Sequence, residues 1–345
     1  MKKLLCGLLT CLLLTVSVAK AEVRGDVIQL RENHPSQYVV VKGDTLWDIS
    51  GRFLAHPWQW PSVWEVNPQI FNPHLIYPGD IIYLTWVDGQ PRLSLKPGTV
   101  RLSPRARVYP LEDAIPAIPL KDIIAFLSDH LVADEDLLKA APYVVGGRND
   151  SIIAGAGDRV YARGQLQSEE PLQAIYRASR EYRDPHSGEF LGYEMLKIAD
   201  TEIPARKDDI LTLDLKKTRE EVRVLDRVLP IEESRIQSLF QPAPVPAGTE
   251  GQILSVLGGV AKIGQFNAVA VNVGARNNVE PGNVMSIYRA GEQVRDPVTG
   301  ELVSLPEEHA GLMMLFKVFD KVSYGLVLNA TNVMSVGDKV YEPGL

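Results

Sequence analysis

Cysteine is almost missing: the 345 residues hold two, Cys6 and Cys11, both near the start. Disulfides, Cys-ligated zinc and thiol catalysis are thereby excluded from the rest of the chain. Basic blocks are also lacking. With 36 Lys and Arg against 43 Asp and Glu, the net charge is −7, which argues against nucleic acid or an anionic membrane as the main partner. Long apolar runs are lacking too. The longest, Leu4 to Val18, falls short of the ~20 residues that a membrane-spanning helix needs. No transmembrane segment is therefore expected in the mature chain. Catalytic signatures are equally scarce, for no His-Glu-x-x-His, Gly-x-Ser-x-Gly or P-loop pattern occurs. The six histidines, His34, His56, His74, His130, His186 and His309, are scattered. His130 and Asp134 supply half of a zinc-peptidase ligand pattern, but the matching His-x-His is absent, so no metal site and no cofactor are expected. A glycosidase needs only two carboxylates and no motif. Glu169-Glu170, Glu220-Glu221, Glu232-Glu233 and Glu307-Glu308 are candidates by composition alone, and paired surface acids are usually just solvated.

The first twenty-odd residues read as an export signal. Lys2-Lys3 precede the apolar run and Ala19-Lys20-Ala21 follows it, the pattern of a secretory signal peptide cleaved before Glu22. Lipidation at Cys11 is disfavoured, because Thr10 stands where a lipobox wants a small residue. Removing residues 1–21 leaves 324 residues, enough for two to four domains. It also takes away Lys2, Lys3 and Lys20, moving the charge to −10.

Composition divides the remainder. Residues 22–37 form a polar tether and 38–86 a compact unit. Residues 87–142 form a Pro-rich linker that becomes strand and then a helical connector. Within that connector Leu120–Leu127 and Asp134–Ala140 have helical spacing, and Asp134 is a plausible cap. Residues 143–240 alternate like short strands, 241–249 are a Pro-rich linker, and 250–345 return to short strands. The two strand-rich stretches repeat one another. Ile175-Tyr176-Arg177-Ala178 recurs as Ile287-Tyr288-Arg289-Ala290, and Arg183-Asp184-Pro185-x-Ser187-Gly188-Glu189 as Arg295-Asp296-Pro297-x-Thr299-Gly300-Glu301. Asp226-Arg227-Val228 likewise meets Asp338-Lys339-Val340, so all three matches share an offset of 112. Two related β modules, small barrels or sandwiches, are expected. The Asp-Pro-x-Ser/Thr-Gly-Glu segments could be binding loops, but hairpin-turn chemistry accounts for them by itself.

The unit at 38–86 reads strand, helix, helix, strand. Tyr38–Lys42 is strand-like and ends at Gly43-Asp44. Thr45 and Asp48 fit a capping box, and Leu46, Ile49 and Phe53 place an apolar stripe on the first helix. Pro61 suits the first turn of a second helix, Trp60–Val66. The chain returns at Ile81–Thr85, so a two-stranded sheet with both helices on one face is expected. Tyr-x-Val-x-x-Gly-Asp-Thr-Leu-Trp-x-Ile, then Asn-Pro, then Asn72-Pro73-His74-Leu75-Ile76-Tyr77-Pro78-Gly79-Asp80, resembles the LysM family across the family's full length. The resemblance implies a groove that binds N-acetylglucosamine polymers such as the glycan of peptidoglycan. By position, Gly43, Asp44, Thr45 and Leu46 would form one side, and Asn72, Pro73, His74, Leu75 and Ile76 the other. Backbone amides and carbonyls would meet the acetamido groups, with Leu46 and Ile76 against methyls and sugar faces. Gly43, Asp44 and Thr45 would be needed as turn and cap without any ligand, and Leu46 and Ile76 could equally be core. Trp47, Trp58, Trp60 and Trp64 form an aromatic set; Trp64 reads as packing, Trp58 as packing or sugar stacking.

The fold class expected is thus α+β and multidomain, a βααβ module followed by a helical connector and two β modules. Gly251 to Pro343 resembles the C-terminal β domain of the flagellar envelope protein FlgT. LysM at the front of such a C-terminus resembles the secretin-associated TsaP family of type IV pili. That resemblance implies a periplasmic, peptidoglycan-binding, non-enzymatic protein that rings an outer-membrane secretin in several copies. A generic LysM wall-binding protein and a LysM-targeted hydrolase are the alternatives.

Overall fold

The structure, a computed structural model, describes residues 28–64, 76–95, 129–148, 151–166, 168, 170, 172–231, 241–258, 262–291 and 293–344. The expected signal peptide, the helix at Leu120–Leu127 and four groove residues, Asn72, Pro73, His74 and Leu75, lie outside the described residues.

The N-terminal unit is built from strand β1 (Gln37–Val39), helix α1 (Leu46–Phe53), helix α2 (Trp60–Trp64), strand β2 (Ile81–Val87) and strand β3 (Gln90–Leu95). Thr45 and Asp48 close a full capping box at the start of α1, each side chain reaching the other's backbone amide. This satisfies amides that the first helical turn leaves open. A single 3₁₀ turn, Pro57–Gln59, leads into α2, which is described as far as Trp64. Leu46, Ile49, Phe53, Trp60, Val63 and Trp64 bury their side chains with Ile76 and Ile82.

The sheet corrects the expectation of two strands. A third, β3, pairs antiparallel with β2 from Ile82↔Leu95 to Val87↔Gln90, and Leu93 is fully buried in the same core. The connection is the two-residue turn Asp88-Gly89, both at positive φ (51° and 77°), which is the geometry that matches strand twist in a tight hairpin. Pro91 is tolerated because β3 is an edge strand.

Beyond it come strand β4 (His130–Ala133) and helix α3 (Glu135–Ala140), the latter capped by Asp134 through its carboxylate and the Leu137 amide. Eight strands follow: β5 (Tyr143–Gly147), β6 (Ile153–Ala154), β7 (Arg159–Arg163), β8 (Leu172–Arg183), β9 (Phe190–Lys207), β10 (Ile210–Thr218), β11 (Val222–Arg223) and β12 (Arg227–Pro230). Six of these run in the order β10-β7-β5-β12-β8-β9, and β9 pairs back on β10, closing a barrel. Val144, Val160, Ala162, Ile175, Leu211, Leu213 and Leu215 are part of its buried core.

The second half repeats this plan. After β13 (Ala243–Pro244) come β14 (Glu250–Val256), β15 (Lys262–Ile263), β16 (Ala268–Val271), β17 (Asn283–Arg289), β18 (Gln293–Arg295), β19 (Leu302–Ser304), β20 (Glu308–Val318), β21 (Ser323–Ala330), β22 (Met334–Ser335) and β23 (Lys339–Tyr341). The ring is β21-β16-β14-β23-β17-β20, closed by β20 on β21, the same order strand for strand. Val269, Val271, Met285, Ile287, Met313, Leu315 and Val327 fall in its buried core. Closure leaves neither ring with open edges of its own.

The repeated motif forms two hairpin turns of one design. Asp184 and Asp296 each accept two amides of the turn on Oδ1. Their own amides donate to the carbonyls of Glu189 and Glu301 at 2.9 and 2.8 Å. The hairpins differ in their bases. In the first barrel β8 and β9 run unbroken into the turn, whereas in the second the strands break into β17–β18 and β19–β20. At that break Gly291 lies so close to the Leu305 carbonyl that no Cβ would fit.

Candidate functional site

Two turns of identical construction flank the described part of the expected groove, which is Gly43 to Leu46 and Ile76. In the first, Val41 to Asp44, the Asp44 amide donates to the Val41 carbonyl, and Asp44 Oδ2 accepts the Val41 amide at 2.9 Å. In the second, Tyr77 to Asp80, the Asp80 amide donates to the Tyr77 carbonyl and Asp80 Oδ2 accepts the Tyr77 amide at 2.9 Å. Gly43 (φ +101°) and Gly79 (φ +97°) hold equivalent left-handed positions, where a side chain would be strained. The turns are tied to each other through one residue. The Val40 amide donates to the Asp80 carbonyl at 2.9 Å and the Gly79 amide to the Val40 carbonyl at 2.8 Å.

The expected site residues separate into three kinds. Gly43 is exposed on its turn, so its peptide groups can reach a ligand. Asp44 and Thr45 are largely buried and already engaged. Asp44 also accepts the Tyr38 hydroxyl at 2.9 Å, while Thr45 both caps α1 and donates to Asp48. Burial, and then the bond to Asp44, push the Tyr38 hydroxyl above its ordinary pKa. Leu46 and Ile76 are both 0% exposed. Their side chains are therefore core, and only their backbone could meet a sugar.

The aromatic set is also interior. Trp47, Trp58, Trp60 and Trp64 are all buried, which decides Trp58 in favour of packing. The fifth tryptophan, Trp86, is 63% exposed at the end of β2. Sequence reasoning passed over it, although its place just before Asp88-Gly89 marks it as a hairpin residue.

Trp47 and Trp58 face outward from their own unit. They join a buried cluster with Leu312, Met314, Leu326 and Leu328, on the outside of the second barrel. Beside this seam runs a cleft of about 700 Å³ lined in part by Asp44, Arg52, His56, Trp58, Tyr288 and His309. Burial lowers the pKa of both His56 and His309, which favours their neutral form. The first turn of the site thus opens onto a polar cleft shared with the second barrel.

Comparison with known proteins bears on this unit. Residues 38–85 match the family described as LysM domain. Residues 38–85 are a LysM domain. A stretch of 55 residues is 40% identical to the Bacillus subtilis (strain 168) protein titled "Uncharacterized protein YqbP", covering 13% of this chain and 25% of that one. The chain therefore spans about a quarter of the length of that relative. A LysM domain suggests peptidoglycan binding and is consistent with an extracytoplasmic location.

Among the described residues no group of three or more His, Cys, Asp or Glu could hold a metal ion. Glu220 is paired with Arg177, and Glu307 with Lys339 and the Tyr341 hydroxyl; Glu169, Glu232 and Glu233 lie outside the described residues. His130 is largely buried, its Nδ1 3.8 Å from Glu194, and burial lowers its pKa. Burial raises that of Glu194. Among the described residues no helix is long and apolar enough to cross a membrane.

Proposed function

We propose that the protein is a non-enzymatic, exported adaptor that holds an envelope machine on peptidoglycan, that machine being the outer-membrane secretin of a type IV pilus. The observation that carries the reading is a LysM domain joined through a buried apolar seam to one of two β-barrels. The domain takes the glycan weakly through Gly43, the backbone at Asp44–Leu46, and Asn72 to Ile76. Several copies around one machine raise that grip through effective concentration. The barrels supply surfaces for protein contact, a role that needs no catalytic cluster. Residues 1–21 carry the chain across the inner membrane as a cleaved signal.

Sedimentation of residues 22–345 with purified peptidoglycan tests the wall-binding half. The protein should pellet, and soluble N-acetylglucosamine oligomers should release it. Failure to pellet would remove the proposal's foundation. Co-purification with the secretin tests the other half; wall binding without it leaves a generic LysM wall-binding protein. Clearing of a murein zymogram would instead establish a hydrolase.

A further inference from the structure

The two repeated hairpins carry the same turn but meet different surroundings. The first is seated on the second barrel. Tyr182 and Leu191 are buried in the cluster that covers that barrel's outer face, and the Tyr182 hydroxyl lies 3.1 Å from Ser255 Oγ on β14. Around this apolar centre is a polar rim. Asn272 donates to Asp184 Oδ2 at 2.7 Å, and Glu189 receives Arg276 and Lys321 at 2.8 Å each.

At the offset of 112, Tyr182, Phe190 and Leu191 become Val294, Leu302 and Val303, while Asp184 and Glu189 become Asp296 and Glu301. Val294 and Val303 lie directly opposite each other across the β18–β19 pair, so they share one face. That face is apolar and bare, with Val294 and Val303 37% and 46% exposed; Leu302, on the opposite face, is 64% exposed and Val298 at the tip 91%. Among the described residues Glu301 forms no ion pair. A two-stranded hairpin alone is at best marginally stable in water, and bare apolar surface of this kind marks an interaction site.

We infer that the β18–β19 hairpin is a docking arm for another protein, one presenting an outward sheet face that is apolar at its centre and edged by amide and cationic side chains. The seat of the first hairpin specifies this chemistry. A second copy of the chain does not supply it. Its own second-barrel face is already covered by Tyr182, Leu191, Trp47 and Trp58. The matching face of its first barrel carries the ion pairs Arg159–Asp214 and Lys216–Glu202. The inference rests on the adaptor reading and names the arm through which the adaptor holds its partner.

A photocrosslinking residue placed at Val303 of the full chain, in cells that make it, tests this against the same residue at Ile152, which is exposed on the first barrel. The expected result is one adduct from position 303 and none from 152, mapped to an apolar outward sheet face with Asn, Arg or Lys alongside. Glu301→Lys should lower its yield about five-fold, by setting like charges against the rim. An adduct to a second copy, an adduct indifferent to Glu301→Lys, or no adduct while sedimentation with peptidoglycan persists would overturn the inference. Loss of sedimentation in the unsubstituted chain would instead remove the adaptor reading itself.

Discussion

The two barrels share strand order, turn chemistry and interior, yet their outer faces are opposites. On the first barrel Arg159 pairs across the sheet with Asp214, which neighbours Glu202. On the second the same positions hold Ala268, Leu326 and Met314. Next along the strand, Lys216 answers to Leu328. One face is solvated and laced with ion pairs, and the other is buried beneath two neighbours. A ring of six strands needs only its inside to be apolar. The outside is free to specify company, and here it makes the second barrel the hub of the molecule.

The largest effect should come from exchanging the faces. Leu326→Asp places an unpaired charge in a buried seam and is expected to cost about 4 kcal/mol, seen as a large drop in urea midpoint. The reciprocal Asp214→Leu should leave that midpoint nearly unchanged; equal losses would break the contrast. Next comes the hairpin pair. Tyr182→Ala should cost about 3–5 kcal/mol, whereas Val294→Ala, at the equivalent bare position, should stay within about 0.5 kcal/mol. Smaller again is the rim. Glu189→Gln should lower the midpoint at low salt and lose its effect at high salt as screening takes over, while Glu301→Gln should do nothing at either.

The finest distinction is in protonation. Amide and hydroxyl bonds from Ser187 and the amide of Asn272 hold the Asp184 carboxyl down from 3.8 to about 2. A carboxyl so depressed favours the folded chain above its ordinary pKa, and that contribution is lost as the pH falls through about 2. Asp296 is lowered from within its own turn, by the amides of Val298 and Thr299 and then the Thr299 hydroxyl. Asn272→Ala should therefore raise the Asp184 pKa and leave Asp296 unmoved, as read by carboxyl-carbon NMR titration. A shift in both would mean that the turn, and not the seat, sets the difference.

Much of this was legible in the sequence because its causes are local. Thr45 and Asp48, Asp134, and the two Asp-Pro turns act within a few residues, and the structure places them as their spacing predicts. The contrast between faces was also written there. Arg159-Val160-Tyr161-Ala162-Arg163 alternates, whereas Ala268-Val269-Ala270-Val271 does not, as befits a strand buried on both sides. Closure of the rings was not legible, since it depends on partners far apart in sequence, such as Arg227 beside Tyr143, 84 residues away, and Tyr341 beside Glu250, 91 residues away. The third strand of the N-terminal sheet was hidden by Pro91, although Asp88-Gly89 is a strong hairpin signal. Trp64 was legible as packing, and Trp58 stayed open for a general reason: ring chemistry suits a sugar or a core equally, and only packing decides.

The seating of the LysM domain gives the molecule a particular way of bearing tension. That domain and the first barrel are neighbours along the chain, yet both rest on the second barrel, one through Trp47 and Trp58 and the other through Tyr182 and Leu191. Under the proposed wall anchoring, a pull between the LysM domain and the first barrel would pass sideways through these two apolar seams. Each seam would then act as a mechanical fuse, and the order in which they part would decide which neighbour leaves the second barrel first.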